Sequence, residues 1–310
     1  MPRYGLHASH EQVKPKHLLD AVIAAEQAGF SAFMSSDHFS PWSARQGESG
    51  FAWSWLGAAL ASTSLPAGVV TAPGQRYHPA ITAQAIGTLA AMFPGRFWAA
   101  LGSGEASNEH ITGDRWPPKA ERNARLLECV EIIRALLAGE EVTHHGLVTV
   151  DRARLWTLPD EPPLLVGAAV SEETARWCAQ WADGLITVGG PKAADVLRAY
   201  REAGGRGPAR VQVHLSWAPT QEEAVRLAHE QWRSNVFPPP ACWDIDSVEV
   251  FDAVSAGVSE AQVAEVVQIS SDISHHREML EQYRDFEEIF LHHVGQEQLA
   301  FVEAFAEIVK

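Results

Sequence analysis

Two rhythms alternate along this chain. Short apolar runs are each followed by a longer stretch whose apolar positions fall three and four apart, the marks of a buried strand and an amphipathic helix. Tyr4 to Ala8 reads as a strand. Lys16 to Ala28 reads as a helix with Leu18, Leu19, Val22, Ile23 and Ala25 on one face, stopped by Gly29. Ser31 to Ser36 is a second strand and Trp53 to Thr63 a helix. Ala67 to Thr71 is a third strand, Pro79 to Met92 a helix broken by Pro94-Gly95, and Phe97 to Leu101 a fourth strand running into Gly102-Ser103-Gly104-Glu105.

The alternation continues through an amphipathic helix over Glu121 to Leu137. His144 to Leu158 alternates polar and apolar residues and reads as a small β excursion. Strands at Leu164 to Gly167, Gly184 to Val188 and Val211 to Trp217 are separated by helices at Glu172 to Trp181, Ala193 to Ala203 and Glu222 to Asn235. Phe237-Pro238-Pro239-Pro240 opens an insertion over roughly 236–257. Short helices follow at Ser259 to Gln268 and Ile273 to Tyr283, then a strand at Glu288 to His292 and a helix at Gln296 to Val309. Strand–helix alternation demands a parallel sheet, and close to eight units favour closure over an open sheet. The expectation is one (β/α)8 TIM barrel over 1–310, with insertions and no composition shift that marks a linker.

Composition narrows the partners. A net charge of −15 argues against nucleic-acid binding and against an anionic membrane surface, and leaves a small-molecule substrate. Cys129, Cys178 and Cys242 are far apart and odd in number, which suggests neither a disulfide framework nor a zinc site. With no apolar leader at Met1-Pro2-Arg3-Tyr4-Gly5 and no run of membrane-spanning length, the expectation is a cytoplasmic protein.

In such a barrel the residues just after each strand converge on one mouth. That gathers Ser9 and Glu11, Asp37, His38 and Trp42, Thr71 and Pro73, Ser103 through Asn108, Ala168 through Ser171, and Gly189-Gly190. The Asp37-His38 step stands out, since histidine alone has an unperturbed pKa near neutrality. Gly102-x-Gly104 is no dinucleotide fingerprint, because Ser107 takes the third glycine's place. Walker and Gly-x-Ser-x-Gly patterns are absent. The pairs His144-His145, His275-His276 and His292-His293 invite a metal reading, but neighbouring histidines on a strand face opposite ways, and no metal is assigned.

Three ordered blocks carry a resemblance. Asp37-His38-Phe39-x-Pro41-Trp42, Val70-Thr71-Ala72-Pro73-x-x-Arg76-Tyr77-His78-Pro79-Ala80 and Gly102-Ser103-Gly104-Glu105-Ala106-x-Asn108-Glu109 resemble the bacterial luciferase-like monooxygenase superfamily. The nearest branch resembles the clade typified by coenzyme F420-dependent glucose-6-phosphate dehydrogenase. The resemblance implies a homodimeric oxidoreductase or monooxygenase in which His38 moves the substrate proton, Glu105 assists, and Glu11 and Trp42 line the substrate side. It implies that Asp37, Ser103, Gly104 and Asn108 hold the flavin, that Val69, Val70 and Thr71 back its ring with a cis peptide at Val69-Val70, and that Ala169, Val170 and Ser171 form the phosphate turn before a helix.

Two departures from that clade matter. Of the cations that hold its substrate phosphate only Lys192 has a plausible counterpart; the other positions fall on Val266 and on Val250 or Phe251, so glucose 6-phosphate is not expected. A Gly-Gly pair of the phosphate turn is Val170-Ser171 here. With the acidic chain, this favours FMN over coenzyme F420 and its polyglutamate tail. Two other readings remain open at this point: a non-catalytic flavin-binding barrel and a cofactor-free barrel hydrolase.

Overall fold

The computed structural model describes residues 2–310. Its frame is eight parallel strands, β1 (Arg3–Ala8), β2 (Ala32–Ser36), β3 (Ala67–Thr71), β4 (Phe97–Leu101), β5 (Leu164–Ala168), β6 (Gly184–Val188), β7 (Ala209–Ser216) and β8 (Glu288–His293). Each pairs with the next in sequence, and β8 pairs with β1 to close the barrel. Around it lie α1 (Pro15–Ala28), α2 (Ala52–Ser62), α3 (Pro79–Met92), α4 (Lys119–Leu137), α5 (Glu172–Cys178), α6 (Ala193–Glu202), α7 (Gln221–Trp232) and α8 (Gln298–Val309). This is the expected (β/α)8 TIM barrel.

The period-2 alternation of each strand splits the core in two. Leu6, Phe33, Val69, Leu101, Leu185, Val213 and Leu291 point outward into one cluster with the helices. Ala32, Met34, Trp98, Ala100, Val166, Ile186 and Phe290 point inward and fill the barrel. Gly68 belongs to the inner set because a Cβ there would collide with the Trp98 indole. Towards the C-terminal ends the same inward columns turn small or polar, with Ser36 two places after Met34 and His292 two places after Phe290. The apolar layer therefore closes the floor and leaves the mouth open.

Several elements differ at their ends from the sequence expectation. The helix from Glu172 stops at Cys178, where Gln180 and Trp181 switch to carbonyls three residues back. The β excursion is an antiparallel hairpin of Val142–His145 and Thr149–Ala153, and its predicted tail to Leu158 is not strand. Short helices at Ala106–Glu109, Ala241–Asp244 and Val248–Val254 went unpredicted, and the helix expected from Ser259 to Gln268 is confined to Glu260–Ala264. Gln268–Ile269 pairs instead with the end of β7.

One expectation is corrected outright. The cis peptide among the described residues is Pro239–Pro240, and Val69–Val70 is trans. Val69 and Val70 pair with Ser35 and Ser36 on one side and with Ala99 and Ala100 on the other in unbroken register, as a regular trans strand does. No described helix is long and apolar enough to cross a membrane.

Candidate active site

A cavity of about 270 Å³ opens at the barrel mouth, and His38 is part of its lining. β2 ends at Ser36 and delivers Asp37 and His38 to the rim. His38 Nδ1 pairs with the Glu11 carboxylate, whose other oxygen accepts the Ser9 hydroxyl at 2.6 Å. His38 Nε2 faces Glu105 Oε2 at 3.6 Å. The Trp42 ring meets the imidazole edge-on at 5.5 Å and is itself backed by Phe251 at 5.2 Å.

The charges in this group decide one another. Burial alone would lower the imidazole pKa, but Glu11, by charge and hydrogen bond, and then Glu105 outweigh it and hold His38 up at about 9. Burial would likewise raise Glu11; His38 and the Ser9 hydroxyl bring it down to about 2. Glu105, lacking a hydrogen bond to His38, is raised by burial despite the nearby imidazole. The site is an imidazolium fixed by one anionic carboxylate and facing a second, more basic one.

Asp37, Asn108 and Ser103, expected to bond a flavin, line the cavity and also make hydrogen bonds within the protein. Asp37 accepts Trp53 Nε1 at 3.0 Å, the Thr71 hydroxyl at 2.9 Å and the Tyr77 hydroxyl at 3.2 Å, so its carboxylate is spent within the protein. Arg76 lies 3.5 Å from Asp37 and 3.6 Å from Glu109, buried between the two. Asn108 accepts the Phe39 amide at 2.8 Å and donates to Glu105 at 3.1 Å. Ser103 accepts Lys119 Nζ at 2.7 Å.

The cavity walls suit a flat ring with an anionic tail. Val70, Gly102, Ala168 and Ile186 supply small or apolar surface, and Gly104, at φ 82°, turns the chain where only glycine is at ease. At one end Lys119 is half-buried beside Val170 and Thr174, with no carboxylate partner among the described residues, and its ammonium lies 4.9 Å from the Trp243 ring. A half-buried cation without a counter-ion fits a phosphate. The Ser171 hydroxyl caps α5, accepting Thr174 N at 3.2 Å.

Of the sequence-predicted residues, Glu11, His38, Trp42, Asp37, Val70, Thr71, Ser103, Gly104, Glu105, Asn108, Ala169 and Val170 line this cavity. Val69 points away into the outer core, and Ser9, Pro73, Ser171, Gly189 and Gly190 lie outside the lining. Lys192, Val250 and Val266 also lie outside it, with the two valines exposed. Sequence reading missed Lys119 and a polar group of His7, Gln212, His214, Trp232, Trp243 and His292 on the cavity wall. Their signal was present, since Gln212 and His214 alternate with Val211, Val213 and Leu215 as the inward half of a strand. His292 and His293 do face opposite ways, His293 stacking on Phe301 at 4.8 Å.

Comparison with known proteins places this geometry. The family described as luciferase-like monooxygenase matches residues 2–294. This chain belongs to the luciferase-like monooxygenase family. A curated member from Beutenbergia cavernae, an F420-dependent glucose-6-phosphate dehydrogenase, is 32% identical over 99% of this chain and 96% of its own. The F420-dependent hydroxymycolic acid dehydrogenase of Mycobacterium tuberculosis is 35% identical over 74% of this chain and 66% of its own. Among solved family structures, an F420-dependent secondary alcohol dehydrogenase in complex with an F420-acetone adduct superposes with a TM-score of 0.91 at 27% identity, covering 100% of both chains.

Proposed function

We propose that this luciferase-like protein is a coenzyme F420-dependent oxidoreductase that interconverts an uncharged secondary alcohol and its ketone. The observation that carries the reading is the cavity-facing His38 held between Glu11 and Glu105. A deazaflavin bound along the wall from Val70 to Ile186 would supply hydride acceptance and donation, the redox half of the reaction. The protein's part is the proton. In oxidation His38 Nε2 takes the hydroxyl proton as the carbinol C–H leaves with its electron pair; in reduction it returns that proton to the carbonyl oxygen. Glu11 fixes the ring through Nδ1 and keeps Nε2 towards the substrate. Trp42 shields one side of the reacting carbon from water.

Support for F420 over FMN comes from the relatives' names, and Lys119 is a local cation that would meet the phosphate of either cofactor. A phosphorylated substrate fits poorly. The cationic side chains lining the cavity are Arg76, occupied by Asp37 and Glu109, His38, paired with Glu11, and Lys119, at the end suited to the cofactor phosphate.

Titration with coenzyme F420 and with FMN, followed by fluorescence, tests the cofactor: F420 binds the more tightly, at about micromolar Kd or below. Tighter FMN binding restores the FMN reading, and binding of neither removes the family's chemistry from this chain. The pH profile tests the proton. With a pKa held at about 9, His38 must lose its proton to act as base, so alcohol oxidation climbs towards pH 9 while ketone reduction falls above it. His38→Asn lowers both by about 10²–10⁴-fold and abolishes the crossing.

A further inference from the structure

Gln212, His214 and His292, three of the polar residues that sequence reading missed, form one hydrogen-bonded chain with Gln12, and its protons can be assigned link by link. Gln12 donates its amide Nε2 to the Val294 carbonyl, which leaves Gln12 Oε1 as the acceptor facing His292 Nε2 at 3.0 Å. His292 Nε2 therefore carries a proton. His292 is fully buried and pressed by other histidines, which keeps the ring neutral and makes its Nδ1 an acceptor. Gln212 Nε2 stands 3.0 Å from His292 Nδ1 and 3.0 Å from His214 Nε2, so its two protons are both spent. His214 Nε2 is thus an acceptor, and the neutral ring holds its proton on Nδ1.

Two ends remain over. The Nδ1–H of His214 and the Oε1 of Gln212 have no protein partner among the described residues, and both side chains line the cavity that holds His38. Neither is sealed off, since both residues stay part-open while Val213 and Leu215 beside them are buried. Trp232 packs against this corner at 4.8 Å from His214 and 4.7 Å from His292. The corner thus offers one donor and one acceptor, two places apart on β7. It offers no charge, because the cavity's cations are engaged elsewhere, Arg76 with Asp37 and Glu109, His38 with Glu11 and Lys119 with Ser103. A hydroxyl, which donates one proton and accepts one, satisfies both. A carboxylate or phosphate would lie against Gln212 Oε1 unpaired, and an ammonium against the His214 N–H.

We propose that Gln212 and His214 form a subsite for an uncharged hydroxyl of the substrate, on a carbon other than the one oxidised. Resting on the alcohol–ketone reading above, this makes the substrate a diol or hydroxyketone. The reaction at the other carbon is unchanged: the carbinol hydride goes to the deazaflavin and the hydroxyl proton to His38, while the second hydroxyl is only held.

The test separates the subsite from that reading by not requiring turnover. In ¹⁵N-histidine-labelled wild-type protein, nuclear magnetic resonance reads the tautomers directly: His214 as Nδ1–H and His292 as Nε2–H. Butane-2,3-diol then shifts the His214 resonances at concentrations about tenfold below those at which butan-2-ol does. The opposite His214 tautomer, or equal response to the two alcohols, overturns the subsite. Kinetics of the F420-loaded enzyme form the second arm, with a KM for the diol about tenfold below that for butan-2-ol and the gap closed in Gln212→Leu and His214→Phe. Loss of cofactor affinity in these variants with the diol preference intact assigns the corner to the cofactor and overturns the proposal. Preserved tautomers and diol shifts in a protein that turns over neither alcohol leave the subsite standing and sink only the alcohol–ketone reading.

Discussion

The side-chain oxygen of Asn108 accepts the backbone amide of Phe39 at 2.8 Å, immediately beyond His38. The same side chain donates to Glu105 at 3.1 Å. Asn108 thereby sets the spacing between His38 and Glu105, which face each other in the cavity. Asn108→Ala leaves the Phe39 amide without that acceptor and frees Glu105 to turn. Misplacement of about 1 Å costs on the order of 10²-fold in rate, so turnover falls by about that factor. Cofactor Kd holds within about twofold, since Asn108 spends its polar atoms inside the protein. A comparable loss in cofactor affinity would show instead that Asn108 touches the ring.

Stability has its own pH dependence. His7 is lowered to about 3 by burial, His10 and His214 to about 4 and His293 to about 3, with His276 and His292 also lowered from the ordinary 6.5. Below pH 6.5 the unfolded chain binds protons that these folded rings refuse, so stability falls as pH falls. His38, raised to about 9, does the reverse: the folded state keeps a proton the unfolded chain gives up, and stability falls as pH climbs from 6.5 through 9. Glu105 and Glu109, raised by burial, act in the same direction from about 4.5 upward, but six histidines outnumber two carboxyls on the acid side. Thermal unfolding followed by circular dichroism therefore shows the highest Tm near pH 6.5. His38→Asn lowers Tm throughout, because Glu11 loses its partner, and flattens the alkaline arm. A Tm that rises steadily from pH 6.5 to 9 would refute this balance.

How legible the molecule is from sequence differs between frame and site. The limits of β3, α3, β4 and β6 follow from apolar runs bounded by glycine, proline and threonine, because local composition and tertiary burial agree there. His38, Glu105 and Glu11 were readable because strand ends in a barrel converge. The protein partners of Asp37 and Asn108 were not. Their bonds run to Trp53, Tyr77 and Phe39, and the choice between holding a ligand and holding the protein depends on partners tens of residues away. The Gln212–His214–His292 chain was hidden for a related reason. Searching for adjacent histidines set His292 beside His293, whereas the barrel sets it beside Gln212 on the neighbouring strand.

Lys119 begins α4, far in sequence from the residues it serves, and its nitrogen donates to Ser103 at 2.7 Å. Burial and the neighbouring Arg122 push its pKa below that of an ordinary lysine, so the free protein holds this charge at some cost. A phosphate on the bound cofactor would repay it, since hydrogen bonds to charged groups contribute about 1.5–3 kcal/mol. Lys119→Gln keeps a donor for Ser103 and removes the charge. Its Kd for F420 rises by about ten- to 10²-fold, with little change in Tm. Wild-type affinity also weakens with rising pH sooner than an ordinary lysine would dictate, a dependence that Lys119→Gln lacks. Equal affinities in the two proteins across that range would place the phosphate elsewhere on the barrel mouth.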